Sequence, residues 1–182
     1  SHNEALDKVR DIFVFQCFIG CRVGDLVKLT DKNIVNELVN GQEIKILVYT
    51  PHKTKDESET VQARIPLHPK ALTLIEKYSG VDAKGRLFPF ITPQRYNGAI
   101  KAVFTLSGIT RSVEVRNPKT GETEIKPINE IASSHLARRT FVGNAYFKVS
   151  DPNIIGKMSG HVDGSRAFKR YRKIEDTTLQ NV

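Results

Sequence analysis

The sequence is poor in cysteine and contains no long apolar segment. Its two cysteines, Cys17 and Cys21, lie four residues apart in an apolar stretch, which excludes a disulfide framework and favours a reducing compartment. No run of about 18 apolar residues is present, so no membrane span is expected. The first residues also lack the basic, apolar and small-residue order of a secretory signal. We therefore expect a cytoplasmic protein.

Several common catalytic signatures are also missing. The 12 glycines form neither of the usual phosphate-binding loops, so nucleotide hydrolysis has no support. The five histidines and two cysteines include no pair at zinc-ligand spacing, and no acidic cluster suits Mg²⁺. No serine or cysteine lies in a recognisable nucleophile elbow. If the protein is an enzyme, we expect its chemistry to need no metal.

What the sequence does contain is an uneven excess of basic residues. Lysine and arginine number 28 against 20 acidic residues, which gives a net charge of +8 over 182 residues. Residues 135–173 hold nine basic and two acidic residues, so this block alone carries +7. Such a block suggests a polyanionic partner, and nucleic acid is the commonest one. A solvated basic face without a partner explains the charge equally well.

The apolar pattern predicts one mainly helical α+β domain over residues 1–182, in which residues 174–182 form a C-terminal tail. Two β-type runs flank Asn40-Gly41, the strongest short signal for a hairpin, and a third run follows a charged turn. We therefore expect an early three-stranded antiparallel sheet. A second hairpin is expected at residues 112–127.

Helical spacing, capping residues and proline positions predict the helices. They are expected over residues 3–19, 23–29, 69–78 and 92–106, and further helices are expected to begin at Ser133-Ser134, at residues 150–152 and after Gly164. Cys17 and Cys21 are expected in the core, on one face of a helix.

Six residues in chain order stand out as candidates for chemistry. They are Arg22 in GCRVGDL, Lys53 in HKTK, His135 and Arg138 in HLARRTF, His161 in SGH, and Tyr171 in KRYRK. His135 and Arg138 lie three residues apart, so a helix presents both on one face. Lys55 lies on the same turn as Lys53, and the sequence leaves both open as the functional lysine.

The order and spacing of these motifs resemble the tyrosine site-specific recombinases, also called phage-type integrases, over residues 8–173. GCRVGDLVKLT resembles the family's first-arginine box, KTKDESETVQARIPL its lysine-bearing hairpin, HLARRTF its His-x-x-Arg box and SGH its Gly-His box. Ala137 and Ser159 depart from the usual leucines. The hairpin at residues 112–127 resembles an insertion in integrases of some bacterial mobile elements, such as conjugative transposons.

The resemblance implies the catalytic-domain fold of this family. Family members usually also contain an N-terminal core-binding domain that closes a clamp on DNA, and we expect that domain to be missing from this chain. The resemblance further implies a bacterial, cytoplasmic enzyme that associates with the nucleoid when bound to double-stranded DNA. Its other expected partners are further protomers, in a tetramer on two duplexes.

The activity implied is site-specific DNA recombination or integration through a covalent 3′-phosphotyrosine, with neither metal nor ATP. Tyr171 would be the nucleophile, although a free phenol with a pKa of about 10 needs a base or cationic surroundings to react. Arg22 and Arg138 would each form two parallel hydrogen bonds to the non-bridging phosphate oxygens. Lysine does not match that geometry.

The remaining site residues have supporting roles in this scheme. His161 adds a hydrogen-bond donor to the phosphate, and His135 is the base or orients it. Lys53 protonates the departing 5′-oxygen. Asp25 is expected to orient the cationic catalytic side chains without itself contacting the phosphate. Candidate contacts to the DNA backbone are Lys28, Lys32, Arg95, Lys101, Arg139, Lys157, Arg166, Lys169 and Arg172.

Other functions remain open at the level of the sequence. A type IB topoisomerase-like nicking and closing enzyme shares the phosphotyrosine chemistry, but the motif boxes here are of the recombinase type. A non-catalytic DNA-binding module needs only the basic block, whereas this sequence retains all six site residues. An unrelated protein with a basic C-terminal part is the remaining alternative.

Overall fold

The computed structural model describes residues 2–52, 62–117, 119–149 and 151–159 of the chain. The helices there are α1 (His2–Ile19), α2 (Val23–Leu26), α3 (Pro69–Tyr78), α4 (Pro93–Leu106), α5 (Ile128–Ile131), α6 (Ser134–Tyr146) and α7 (Pro152–Ser159). The strands are β1 (Ile34–Val39), β2 (Gln42–Tyr49), β3 (Ala63–Pro66), β4 (Ser112–Arg116) and β5 (Thr123–Pro127). This arrangement confirms the predicted, mainly helical α+β fold. The helix predicted after Gly164 and the tail at residues 174–182 lie outside the described residues.

The early sheet has the predicted topology, with antiparallel strands in the order β1-β2-β3. Asn40 and Gly41 close the first hairpin with positive φ values of 51° and 78°, which Asn and Gly adopt more readily than other residues. Leu47 of β2 pairs with Ile65 of β3, and both side chains are buried. The sheet therefore contributes one apolar face to the core.

The second hairpin, β4–β5, also forms where the sequence predicts it, and its register runs from Ser112 opposite Pro127 to Arg116 opposite Thr123. The short helix α5 follows β5 directly and was not expected from the sequence. Its first residue, Ile128, is buried, and the Ile128 N–H donates to the Arg111 carbonyl at 2.9 Å. Packing against α4 stabilises this single turn, because helices this short are marginal on their own.

Helix α1 is the centre of the helical layer and packs against α3, α4 and α6. Phe13 meets Phe104 of α4 edge to face, with ring centroids 5.4 Å apart, and Phe15 lies 4.6 Å from the ring of Phe88. Phe15 and Ile19 are fully buried. The C-terminal end of α1 is therefore held among its neighbours, and so is the turn that follows it.

The second helix is shorter than predicted, because α2 ends at Leu26 rather than near Leu29. Beyond Leu26 the backbone finds partners outside the helix. The Leu29 carbonyl accepts from the Leu87 N–H at 2.8 Å, and Thr30 forms an isolated antiparallel bridge with Arg86. These long-range hydrogen bonds compete with another helical turn, and no local pattern in the sequence signals them.

The two cysteines do not share one helical face, which corrects the sequence-based expectation. Cys17 lies in α1, but α1 ends at Ile19, and Gly20, with a φ of +63°, stands between the helix and Cys21. Both thiols are free, and Cys21 is fully buried. Burial raises the pKa of Cys17 to about 12, so this thiol stays protonated at neutral pH.

Helix α6 begins as predicted after Ser133, but its cap comes from another helix. The Ser133 side chain makes no capping hydrogen bond. Instead, the Ser134 N–H donates to Oδ1 of Asn97 in α4 at 2.8 Å. A side chain from α4 thus satisfies one of the free N–H groups at the start of α6 and fixes where that helix begins.

Candidate active site

The turn between α1 and α2 carries Arg22, and α1 and α4 hold it in place. Gln16 of α1 is fully buried. Its backbone carbonyl accepts from the Gly20 N–H at 2.8 Å, and its side-chain Nε2 donates to the Cys21 backbone carbonyl at 2.9 Å. The Tyr96 hydroxyl of α4 donates to Gln16 Oε1 at 3.1 Å. The backbone leading to Arg22 is therefore rigidly supported.

Arg138 of α6 reaches the same turn from the opposite side. It is 3% exposed, and its Nη1 donates to the Gly20 carbonyl at 2.7 Å. Arg22 follows two residues after Gly20, at the N-cap of α2, and its Nη1 is buried with no hydrogen-bond partner among the described residues. The fold thus brings both predicted catalytic arginines to one turn.

His135 lies one helical turn before Arg138 on α6. Although the residue is exposed, surrounding protein atoms desolvate the imidazole, and this burial lowers its pKa from the ordinary value of 6.5. The positive charges of Arg138, Arg139 and Arg22 lower it further. The imidazole is consequently neutral at pH 7 and able to accept a proton, as the sequence-based role requires.

Acidification is expected to destabilise the fold through His135. Between the lowered pKa and 6.5 the unfolded chain binds more protons at this residue than the folded chain does. Stability contributed by the neutral imidazole is therefore present above pH 6.5 and is lost as the pH falls through the folded-state pKa. Urea unfolding at several pH values should show a smaller acid-induced loss in His135→Gln than in the wild type.

Arg139→Ala supplies the control for this pH effect. Removing the Arg139 charge relieves part of the repulsion, so the pKa of His135 should rise toward its ordinary value. An NMR titration of the imidazole measures this directly. An unchanged pKa in Arg139→Ala, together with an equal acid-induced loss in wild type and His135→Gln, would contradict the electrostatic account.

Asp25 is buried in α2, and its Oδ1 accepts from the backbone N–H of His52 at 3.0 Å. His52 directly precedes Lys53, so Asp25 anchors the chain where it leaves β2 toward the predicted catalytic lysine. Burial raises the pKa values of Cys21 and Tyr49, and the Asp25 charge adds to both shifts. Its predicted role in orienting the catalytic cations stays a prediction.

Tyr49, the last residue of β2, belongs to this neighbourhood and was missed by the sequence analysis. Burial raises its pKa well above 10, and the charges of Arg138 and Arg22 oppose that shift. Its hydroxyl is buried with no hydrogen-bond partner among the described residues. Strand alternation signals only an inward side chain at this position, so the sequence holds no sign of a functional role.

Tyr49 and Asp25 line a common cavity of about 450 Å³. Its other lining residues are Lys28, Leu29, Asn33, Thr50 and His52. The cavity is therefore bordered by α2 on one side and by the end of β2, where the chain leads toward Lys53, on the other. Gln16 was also missed, but a signal existed there, namely a polar residue on the apolar face of α1.

The candidate DNA-backbone contacts within the described residues are all exposed. These are Lys28, Lys32, Arg95, Lys101, Arg139 and Lys157. Arg139 lines a groove of about 730 Å³ between the second hairpin and α6, together with His135. Lys28 lines the cavity of Tyr49, whereas no described contact connects the other four to the arginine pair.

Half of the predicted catalytic set lies outside the described residues, namely Lys53, His161 and Tyr171. The same holds for Lys55 and for the candidate contacts Arg166, Lys169 and Arg172. Within the described parts of the chain, no group of three His, Cys, Asp or Glu side chains is arranged to hold a metal ion. No described helix is both long enough and apolar enough to cross a membrane.

Gly20→Ala is expected to destabilise the fold by about 2–4 kcal/mol. A left-handed φ costs an L-residue about 1–2 kcal/mol, and overpacking a core costs about 1–3 kcal/mol. Both penalties apply. Gly20 has a φ of +63°, and a Cβ added there would lie 2.3 Å from Cδ1 of the Phe141 ring. Denaturant unfolding measures the loss.

Gly24→Ala is the matched control for this substitution. Gly24 lies in α2, where an added Cβ meets nothing within 4 Å. Alanine should stabilise the helix there by up to about 1 kcal/mol. If both alanine variants unfold at the same denaturant concentration as the wild type, the close approach at Gly20 is not a constraint on the fold.

The fold is similar to that of two proteins whose structures have been solved in complex with DNA. The XerH site-specific recombinase bound to palindromic difH substrate, in a post-cleavage complex, matches 95% of this chain with a TM-score of 0.61 and 15% sequence identity. The pre-cleavage complex of XerH with difH matches 93% with a TM-score of 0.57 and 16% identity. The Tn1549 transposon integrase in complex with transposon right end DNA matches 93% with a TM-score of 0.51 and 15% identity.

These similarities establish the fold, which is that of the catalytic domain of tyrosine recombinases and confirms the fold predicted from the motifs. The matched region covers 44% of the XerH chain and 58% of the Tn1549 integrase chain, so this chain spans about half the length of those proteins. No protein-family model matches the sequence, and no curated protein matches it either.

Proposed function

We propose that this chain, which folds like a tyrosine-recombinase catalytic domain, is one, and that it recombines specific DNA sites by breaking and rejoining strands. The observation that carries this proposal is the hydrogen bond from Arg138 to the Gly20 carbonyl, 118 residues earlier in the chain. Through it, a buried arginine from the His-x-x-Arg box meets the turn of the first-arginine box. A merely basic surface has no need of this arrangement.

Two arginines at one turn suit a phosphodiester transition state. Charge develops there on the non-bridging oxygens, and guanidinium groups bind such oxygens through paired, charge-assisted hydrogen bonds. Donors held in place before the reaction need no reorganisation during it, which makes them effective catalysts. The support of the Arg22 turn by Gln16 and the burial of Arg138 provide this preorganisation.

Tyr171 is the proposed nucleophile. Its phenolic oxygen bonds to the phosphorus, the bond from phosphorus to the 5′-oxygen breaks, and the phenolic proton passes to a base such as neutral His135. Lys53 gives a proton to the 5′-oxygen, with Lys55 as the alternative. The anchoring of His52 by Asp25 supports Lys53, because it holds the start of that segment beside α2.

Rejoining reverses these steps with a different strand. The 5′-hydroxyl of the partner strand attacks the phosphotyrosine, the bond to Tyr171 breaks, and His161 continues to donate to the phosphate oxygens. The energy of the phosphodiester bond is kept in the intermediate, so the scheme needs neither ATP nor a metal.

Double-stranded DNA is the proposed substrate. The solved neighbours are complexes of a site-specific recombinase and a transposon integrase with DNA, and the basic block at residues 135–173 supports the same kind of ligand here. We further propose that this domain acts with a core-binding domain, in a tetramer on two recombination sites in the bacterial cytoplasm.

Trapping on a nicked duplex tests the proposed function. The substrate carries the recombination site, and the nick lets the short cleaved end diffuse away, so the phosphotyrosine accumulates. The protein, together with any adjoining core-binding domain, should form an adduct that resists denaturation. DNA binding without an adduct would leave only the binding-module alternative. Relaxation of supercoiled DNA without strand exchange would favour the topoisomerase-like alternative.

A further inference from the structure

Tyr49 has a buried hydroxyl that the described part of the protein leaves unpaired. The residue is 6% exposed. Two other buried tyrosines differ in this respect, because Tyr78 donates to Asp11 Oδ2 at 2.9 Å and Tyr96 donates to Gln16 Oε1 at 3.1 Å. Buried polar groups in native proteins are nearly always paired, so an exception calls for a specific explanation.

A second unpaired polar atom lies in the same neighbourhood. Nη1 of Arg22 is buried and has no partner among the described residues. Tyr49 lines its cavity together with Asp25, which follows Arg22 by three residues. The Arg22 charge also acts on the phenol, since it opposes part of the rise that burial causes in the Tyr49 pKa. The two groups are complementary, because a guanidinium only donates hydrogen bonds and a phenolic oxygen accepts them.

The partner arginine shows what such a contact achieves. One N–H group of Arg138 is held by the Gly20 carbonyl, and this fixes the plane of its guanidinium. A guanidinium has five N–H groups in one plane and uses two of them to bind a phosphate bidentately. Arg22 needs an equivalent acceptor if its plane is to be fixed as well. The Tyr49 hydroxyl, at the C-terminal end of β2, is an acceptor that no described residue uses.

We infer that Tyr49 is a positioning residue, whose hydroxyl oxygen accepts a hydrogen bond from the Arg22 guanidinium when a phosphate occupies the site. The contact holds Arg22 in the plane from which two other N–H groups reach the phosphate oxygens. Tyr49 itself does not touch the DNA. The inference rests on the proposed function, since it names the group that orients one of the two proposed phosphate-binding arginines.

Tyr49→Phe removes only the hydroxyl and tests the inference. In single-turnover trapping on the nicked duplex, adduct formation should slow about 10-fold, as is common when a supporting partner is lost. DNA affinity and the unfolding temperature should not fall, because the substitution removes no hydrogen bond that the described residues make. Tyr78→Phe is the matched control and should show the opposite pattern, with a lower unfolding temperature and an unchanged rate.

A double-mutant cycle identifies the residue through which Tyr49 acts. In an Arg22→Lys background the planar fork is absent, so Tyr49→Phe should change the rate less than about twofold further. The inference is wrong if Tyr49→Phe forms the adduct at the wild-type rate. It is equally wrong if the penalties of the two substitutions multiply.

Inorganic phosphate separates failure of this inference from failure of the proposed function. A missing adduct in the wild type would overturn the proposed function, yet phosphate bound between the arginines would still raise the unfolding temperature. That rise should be smaller in Tyr49→Phe than in the wild type, and Arg22→Lys should remove the difference. An equal rise in wild type and Tyr49→Phe, or no rise at all, would overturn the inference on Tyr49.

Discussion

Tyr171→Phe is expected to abolish the covalent protein–DNA adduct, with a loss of at least about 10⁴-fold in the rate of strand cleavage. Phenylalanine has no oxygen to attack the phosphorus, and no phosphate-holding group replaces a missing nucleophile. The measurement is single-turnover trapping on the nicked duplex, followed by denaturing electrophoresis. Binding of the intact duplex should persist, because phenylalanine leaves every basic side chain in residues 135–173 unchanged.

Tyr78→Phe is the control for this substitution as well. Tyr78 packs beside Phe88 and donates to Asp11 of α1, and it has no role in the proposed chemistry, so its variant should still form the adduct. If the adduct persists in Tyr171→Phe, another residue is the nucleophile. Mass spectrometry of the DNA-linked peptide then identifies it. If both variants lose the adduct, loss of folding is the common cause.

Arg138→Lys is expected to slow cleavage by about 10²–10³-fold, the usual effect of losing one preorganised donor to a developing oxyanion. Lysine keeps the positive charge but has neither the planar fork nor the reach to bind the Gly20 carbonyl and a phosphate together. The rate should be measured at about pH 8, where His135 is neutral and does not limit the reaction. DNA affinity should change far less than the rate.

Arg139→Lys is the same chemical change one residue along α6. Arg139 is exposed, so lysine should preserve its attraction to the DNA backbone and alter the rate by about twofold or less.

Arg138→Ala should also destabilise the fold by about 1–3 kcal/mol, because the Gly20 carbonyl loses its donor. Equal rates for Arg138→Lys and the wild type would remove Arg138 from the proposed catalytic set.

The elements predicted correctly from the sequence are those that local chemistry specifies. Asn40 and Gly41 adopt the positive φ angles that a tight hairpin turn requires. Thr92 caps α4 ahead of a proline at the first helical position. The end of α2 and the existence of α5 were not predicted. Both depend on partners distant in sequence, such as Leu87 for the Leu29 carbonyl, and hydropathy patterns do not encode such pairings.

By itself the sequence determined which residue types are available and in which order. It placed Arg22 and Arg138 in recognisable motifs, and most of the net positive charge in residues 135–173. Only the tertiary structure decided that the Gly20 carbonyl joins the two boxes and that Gln16 supports the turn. It also showed that the buried Tyr49 hydroxyl, on which the charges of both arginines act, has no hydrogen-bond partner within the part of the chain that the structure describes. The physical reason is that propensity and hydropathy act over a few residues, whereas a buried hydrogen bond can join segments more than 100 residues apart, as Arg138 and Gly20 do.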